Sequence, residues 1–286
     1  MGPDLTAHDD QTAGRDVPPP DRLVRSPDGT RIAVFRSGLP GGPPLILVHG
    51  TTADHTAFRA VAPRLGRRFA LHAVDRRGRG ASGDATAYSI EREFDDIAAV
   101  VDAVAAEAGR SVDAVGHSFG GRCALGAALR TPYLRRLVVY EGAPAPPGIR
   151  YALEGLATLL RARLEAGDPD GALETFLRAV VGMDDAAIAA YRANPTWPIR
   201  VAAAGTILRE IEAEGSAAAG LDALAAVRNP VLQLLGSASL SVFRQATEAL
   251  HARLVGGRIV VIEGAAHAAH HTHVDAFVGA VESFLA

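Results

Sequence analysis

The chain has 286 residues, a formal net charge of −3 and no block of lysine and arginine, which argues against nucleic acid or an anionic membrane as its main partner. Hydrophobic residues make up 48% and charged residues 21%, the balance of a chain that builds a core rather than staying disordered. Its length suits one sizeable domain with an insertion, or two small domains.

Residues 1–21 are polar, end in Pro18-Pro19-Pro20, and read as a loose tail. They contain no basic segment followed by an apolar stretch, so no signal peptide is expected, and no stretch is long and apolar enough for a membrane span. The single cysteine, Cys123, rules out an intrachain disulfide and fits a reducing, cytoplasmic setting.

LVRSPDGTRIAVFRSG reads as a hairpin about Asp28-Gly29. PLILVHG is a continuous apolar run, as expected of a parallel strand covered on both faces. DHTAFRAVAPRLG reads as a helix, FALHAVD as a strand, and YSIEREFDDIAAVVDAVAAEAG as a long amphipathic helix capped by Ser89. VDAVGHS is a strand running into the helix FGGRCALGAALR, and LRRLVVYEG is the next strand. From about Ala145 to Val227 only helices are expected, with Asp168 capping one of them ahead of Pro169. Alternation then resumes through PVLQLLG, SVFRQATEALHARL, GRIVVIEG and VDAFVGAVESFLA. The pattern predicts an α/β fold with a mostly parallel sheet and helices on both faces. Residues 22–144 and 228–286 form the expected core, and 145–227 a helical cap over one edge of it.

The sharpest chemical signal is Gly116-His117-Ser118-Phe119-Gly120, a G-x-S-x-G placed after a strand and opening a helix. There the glycines permit a tight turn that exposes the Ser118 hydroxyl as a nucleophile. The Phe119 N–H, at the helix start, faces the place where a carbonyl oxygen would gain charge.

With Leu47-Val48-His49-Gly50-Thr51-Thr52 added to this turn, the chain resembles the α/β-hydrolase superfamily from about residue 22 to its end. The resemblance implies that the Thr51 N–H is the second oxyanion donor and that His49 is structural. It also matches Asp75-Arg76-Arg77-Gly78-Arg79-Gly80-Ala81-Ser82 to a family turn that Asp75 holds together. YEGAP, and DPDGALETFLRAVVG in the expected cap, resemble a bacterial subgroup with a YEPP-type signature.

A serine nucleophile needs a base. Of ten histidines, His267 follows the last strand on a short loop, as the family presents its base, with His270 the runner-up. His55 reads as pocket wall or helix-start polarity. The His267, His270, His271, His273 group lacks further ligands until Asp275, so no metal is expected, and no cofactor.

The acid is harder to place. Between Asp222 and Glu248 there is no Asp or Glu, and Ser239 stands where a G-x-x-D pattern after PVLQLLG would put one. Glu141 is the only acid between Asp113 and Glu154, and it ends an apolar strand, where a carboxylate is unusual unless paired. Some α/β-hydrolases resembling this chain carry their acid there, so Glu141 is assigned that role; the other reading has Ser239 or water orienting the histidine.

The expected function is a serine hydrolase cleaving an ester, lactone or thioester of a small-molecule substrate through an acyl-enzyme. The alternatives are a non-hydrolytic step on the same residues (cyclisation, a lyase or a cofactor-free peroxidase) and a ligand-binding protein on the same fold.

Overall fold

A computed structural model describes residues 18–286; most of the expected tail, residues 1–17, lies outside the described residues. Strands β1 (Arg22–Arg25) and β2 (Arg31–Gly38) form the antiparallel hairpin, and Asp28 Oδ1 accepts from the Thr30 N–H at 3.0 Å to close its turn. Strands β3 (Pro44–Val48), β4 (Ala70–Val74), β5 (Val112–His117), β6 (Leu134–Tyr140), β7 (Val231–Gly236) and β8 (Gly257–Ile262) complete one sheet of eight. Its order is β1-β2-β4-β3-β5-β6-β7-β8. All pairs from β4 to β8 are parallel, whereas β2 meets β4 antiparallel. This is the α/β architecture that the alternation of elements implied.

Between β3 and β4 the single helix expected from the sequence is broken. A 3-10 turn at His55–Phe58 precedes the short helix α1 (Ala62–Leu65). Pro63 lies in the first turn of α1, where its missing N–H costs nothing, but it cannot carry a helix through from Thr56. Helix α2 (Ile90–Ala108) is as long as its periodicity demands, burying Ile90, Phe94, Ile97, Val101 and Val104 along one face. Each such side chain contributes about 1.5–3 kcal/mol of transfer free energy. Ser89 sits at the N-cap position without a side-chain cap hydrogen bond, and Gly109 ends the helix in the left-handed region at φ 62°.

Helix α3 (Phe119–Ala127) follows β5, and between β6 and β7 the described residues form only helices and turns. These are α4 (Leu156–Glu165), α5 (Pro169–Phe176) with a π turn at Leu177–Val181, α6 (Asp185–Arg192), α7 (Trp197–Ala202), α8 (Gly205–Ala213) and α9 (Leu221–Leu224). Asp168 caps α5 by accepting from Gly171 N at 2.8 Å. The chain ends with α10 (Ser241–His251) before β8, and α11 (Ala269–Thr272) and α12 (Val274–Phe284) after it.

Apolar side chains fill both faces of the sheet. One cluster joins Val34, Val48, Phe94, Val101, Leu125 and Leu250; the other joins Leu47, Phe58, Val138, Leu234, Phe277 and Val281. The inserted helices have a core of their own around Leu160, Leu173, Phe176, Trp197 and Ile207.

Charge as well as apolar contact joins the insertion to the sheet, Tyr151, Leu221 and Leu224 packing into the first of the two sheet clusters. Glu210 of α8 meets the buried Arg76 guanidinium at 2.5 Å and also hydrogen-bonds Arg79, while Glu93 of α2 pairs with Arg76 at 2.6 Å. Burial alone would raise the Glu93 pKa, but the Arg76 and Arg79 charges outweigh it and hold the carboxyl at about 2. No helix among the described residues is long and apolar enough to cross a membrane.

Candidate active site

Because β3, β5, β6, β7 and β8 run parallel, their carboxyl ends deliver their following loops to one edge of the sheet. Four of those loops carry the residues singled out from the sequence.

Ser118 sits between β5 and α3 with φ 53° and ψ −129°, a conformation few side-chain-bearing residues adopt. The turn closes only because its neighbours are glycines. A Cβ on Gly116 would lie 2.5 Å from Gly121 Cα, and one on Gly120 would run into the His49 carbonyl. Phe119 opens α3, so its N–H belongs to the first turn, where amides have no intrahelical partner. Thr51, after β3, lines the same cavity as Ser118. The adjacent Thr52 is also forced to a positive φ of 60°.

Glu141 follows β6 and is the third residue with a side chain at positive φ, 48°. The twist sends its carboxylate along the sheet edge rather than into solvent, and it is only 3% exposed. There Oε2 lies 2.6 Å from His267 Nδ1. Oε1 accepts from the Gly236 N–H at 2.7 Å and from Ser239 Oγ at 2.6 Å. Ser239, the residue standing where the acid was missing, therefore donates to the carboxylate one strand away. A carboxylate only accepts, so Nδ1 is the donor of this contact and Nε2 is left to face the cavity side of the ring.

The His267 loop is anchored by the residue before Glu141. The Tyr140 hydroxyl donates to the Ala266 carbonyl and accepts from the Ala269 N–H at 3.1 Å. Phe243 stacks on the imidazole at 4.3 Å between ring centroids. His267 and Ser118 line one cavity of about 520 Å3, which Phe176, Leu177, Val180, Val181 and Met183 of the inserted helices also line. Among the described residues no hydrogen bond joins Ser118 Oγ to His267 Nε2; such contacts are commonly long in unliganded sites and tighten around the substrate.

The other histidines take separate positions. His49 Nε2 accepts from the Arg76 N–H at 3.0 Å while Nδ1 donates to the Gly50 carbonyl, a role in the loop. The His55 ring meets Asp75 at 2.9 Å, and Asp75 also accepts from the His55 and Ala81 amides, closing the turn. His117 hydrogen-bonds the His267 carbonyl at 2.8 Å. His270 lines the cavity wall, buried, and its Nδ1 has no partner among the described residues. His273 is half-buried, and no group of three or more metal-ligating side chains is assembled among the described residues. Cys123 is fully buried.

Burial, followed by the charge of neighbouring groups, pushes His49, His117 and His270 well below the ordinary histidine pKa. These groups stay neutral when folded and take up protons when unfolded, so their contribution is complete above about pH 6.5 and lost progressively below it. His55 differs in sign: burial lowers it, but Asp75 raises it further, so its contribution is present at low pH and fades as pH rises. His72 and His271, which burial and nearby arginines lower to about 4, behave like His49, His117 and His270, so the unfolding free energy is expected to fall by about 6 kcal/mol per pH unit between pH 6 and 5, for about five protons taken up. Urea titrations across that range check this; a flat profile would mean that these five imidazoles are charged in the native state.

The sequence offers Ser239 only as a stand-in for the acid and leaves Arg200 unmarked. Ser239 reads there as a gap in a pattern, and only the pairing of β6 with β7 turns it into a donor to Glu141. Arg200 of α7 projects into the same cavity and donates from Nη1 to the Thr51 carbonyl at 3.1 Å. Nothing in its local sequence separates it from any other helix-surface arginine.

Residues 45–280 match the model of the alpha/beta hydrolase family. The chain is similar to a pimeloyl-[acyl-carrier protein] methyl ester esterase of Neisseria meningitidis serogroup B, 31% identical over 84% of this chain and 91% of that one. A crystal structure of an alpha/beta hydrolase from Sphaerobacter thermophilus superposes with a TM-score of 0.78 at 30% identity, covering 93% of this chain and all of the other. A 102-residue segment is 39% identical to the "Probable oxidoreductase EphD" of Mycobacterium tuberculosis; it spans 35% of this chain but only 17% of that protein. On the strength of the family match over residues 45–280, this chain belongs to the alpha/beta hydrolase family.

Proposed function

We propose that the protein is a serine hydrolase that cleaves a carboxylic ester, lactone or thioester of a small molecule through an acyl-enzyme. The observation that carries this reading is the 2.6 Å contact between His267 Nδ1 and a buried glutamate that two further donors hold in place. It supports Glu141 as the orienting acid, His267 as the base and Ser118 as the nucleophile. The relatives named as esterases support the substrate class.

Ser118 Oγ attacks the carbonyl carbon as its proton passes to His267 Nε2. The developing oxyanion is held by the Thr51 and Phe119 amides, each donor typically worth about 10²–10³ in rate. His267 then delivers the proton to the leaving oxygen or sulfur, which departs and leaves an acyl-Ser118 ester. Water gives a proton to the same imidazole, attacks the acyl carbon, and releases the carboxylic acid with Ser118 restored. Glu141 stabilises the imidazolium in both halves.

In this reading residues 145–227 act as a cap that selects the substrate, and the lone buried cysteine suits work in a reducing, cytoplasmic compartment. A purely ligand-binding role drew its support from the missing acid after β7, and the Glu141 contact weakens that support.

A fluorophosphonate probe tests the nucleophile. The folded native protein is expected to be labelled stoichiometrically and Ser118→Ala to remain unlabelled, as read by mass spectrometry. An unlabelled native protein would remove Ser118 from the mechanism.

A further inference from the structure

The larger cavity beside Ser118 has an uneven charge. Among the described residues no aspartate or glutamate lines it, whereas Arg59, Arg200 and the histidines His117, His267, His270 and His271 do. Arginines elsewhere in the fold are commonly paired: Arg76, Arg77, Arg79, Arg135, Arg178, Arg192 and Arg209 all meet carboxylates. Arg59 and Arg200 form no ion pair among the described residues.

Arg200 is the better placed of the two, being half-buried where Arg59 is exposed. Its Nη1 donates to the Thr51 carbonyl at 3.1 Å and reaches Thr52 Oγ1 at 3.4 Å, which fixes the plane of the guanidinium. Its Nη2 and Nε have no partner among the described residues, and they present the donor fork that matches a carboxylate in two parallel hydrogen bonds. The Arg200 charge is also among the causes, after burial, that keep His117, His270 and His271 neutral, so Arg59 and Arg200 supply the positive charge of the lining, and the nearest carboxylate, Glu141 behind His267, is already engaged by His267, Gly236 and Ser239. The same cavity has an apolar stretch of wall contributed by Phe176, Leu177, Val180 and Met183.

We infer that the substrate is an ester whose acyl chain ends in a carboxylate, with the alkyl segment along the apolar wall and the terminal carboxylate bound by Arg200. The inference rests on the serine hydrolase reading and adds the charge of the substrate to it. It also gives Arg200 a double position. The guanidinium that would bind the substrate's far end also holds the carbonyl of Thr51, whose amide faces the reacting oxygen. Binding the correct chain and placing the oxyanion donor are then one event.

Matched aryl esters test it: 4-nitrophenyl hydrogen adipate and suberate against 4-nitrophenyl hexanoate and octanoate, equal in carbon number and differing in the terminal charge. Native enzyme is expected to favour the charged member of a pair by at least about tenfold in kcat/KM, after subtraction of spontaneous hydrolysis. The preference should fall to about twofold or less in Arg200→Met and survive in part in Arg200→Lys. The readout is the ratio within each variant, so a general loss of activity from disturbing Thr51 leaves it interpretable. Adipate dianion should inhibit hydrolysis of the neutral ester by native enzyme, more weakly as salt is raised. Equal kcat/KM for the paired esters in native enzyme would overturn the inference while leaving the hydrolase reading intact. A preference unchanged in Arg200→Met would overturn the role of Arg200. Turnover of neither ester by folded protein would overturn the hydrolase reading itself.

Discussion

His267→Ala is expected to lower kcat for a short-chain aryl ester by about 10⁶, close to the full effect of removing a catalytic base that acts as a unit with its serine. The size follows from chemistry rather than position. Without an acceptor the Ser118 hydroxyl stays protonated at neutral pH, and without a donor the leaving group departs as an anion. Steady-state kinetics with a burst phase measure the loss. His270 is the natural rival, since it is buried in the same wall with its ring 4.4 Å from that of His117. It lacks a carboxylate partner, however, and its Nδ1 meets no hydrogen-bonding group among the described residues. A loss smaller than about tenfold in His267→Ala would transfer the base to His270.

Glu141→Gln comes next, with an expected loss in kcat of about 10⁴ and little change in fold. The amide has nearly the shape of the carboxylate but not its acceptors. If the amide nitrogen faces His267, the imidazole must accept at Nδ1, its proton moves to Nε2, and the nitrogen aimed at the cavity can no longer take the proton of Ser118. If the amide is turned over, its nitrogen meets the Gly236 N–H, a donor that cannot rotate away, at a position now 2.7 Å from Oε1. Ser239 can rotate and accept, so Ser239→Ala should cost far less than Glu141→Gln. Comparing kcat for the two variants, each checked for a native unfolding transition, decides the matter. A more damaging Ser239→Ala would reassign the orientation of the imidazole to the loop after β7.

The local sequence carried the nucleophile turn and the sheet. Gly116 and Gly120 crowd against backbone that leaves no room for a Cβ, so the G-x-S-x-G spacing reports a geometry that few other residues can satisfy. Strands such as PLILV are buried along their whole length, and a continuous apolar run is the direct imprint of cover on both faces. The same local reading merged the 3-10 turn at His55–Phe58 with α1, because apolar periodicity does not register a break that Pro63 and the Asp75 hydrogen bonds impose.

The acid and the cavity lie beyond local pattern. Glu141 and His267 are separated by 126 residues, and Ser239 lies on a third loop. Their meeting depends on β6, β7 and β8 being adjacent and parallel, a property of strand order that no window of sequence contains. A solitary carboxylate at the end of an apolar strand did mark Glu141 as a residue in need of a partner, since burying an unpaired charge is costly. Arg200 left no such mark. An arginine on a helix surface is ordinary in sequence, and its meaning here comes from the packing that turns α7 toward Thr51 and leaves the cavity around it without a carboxylate.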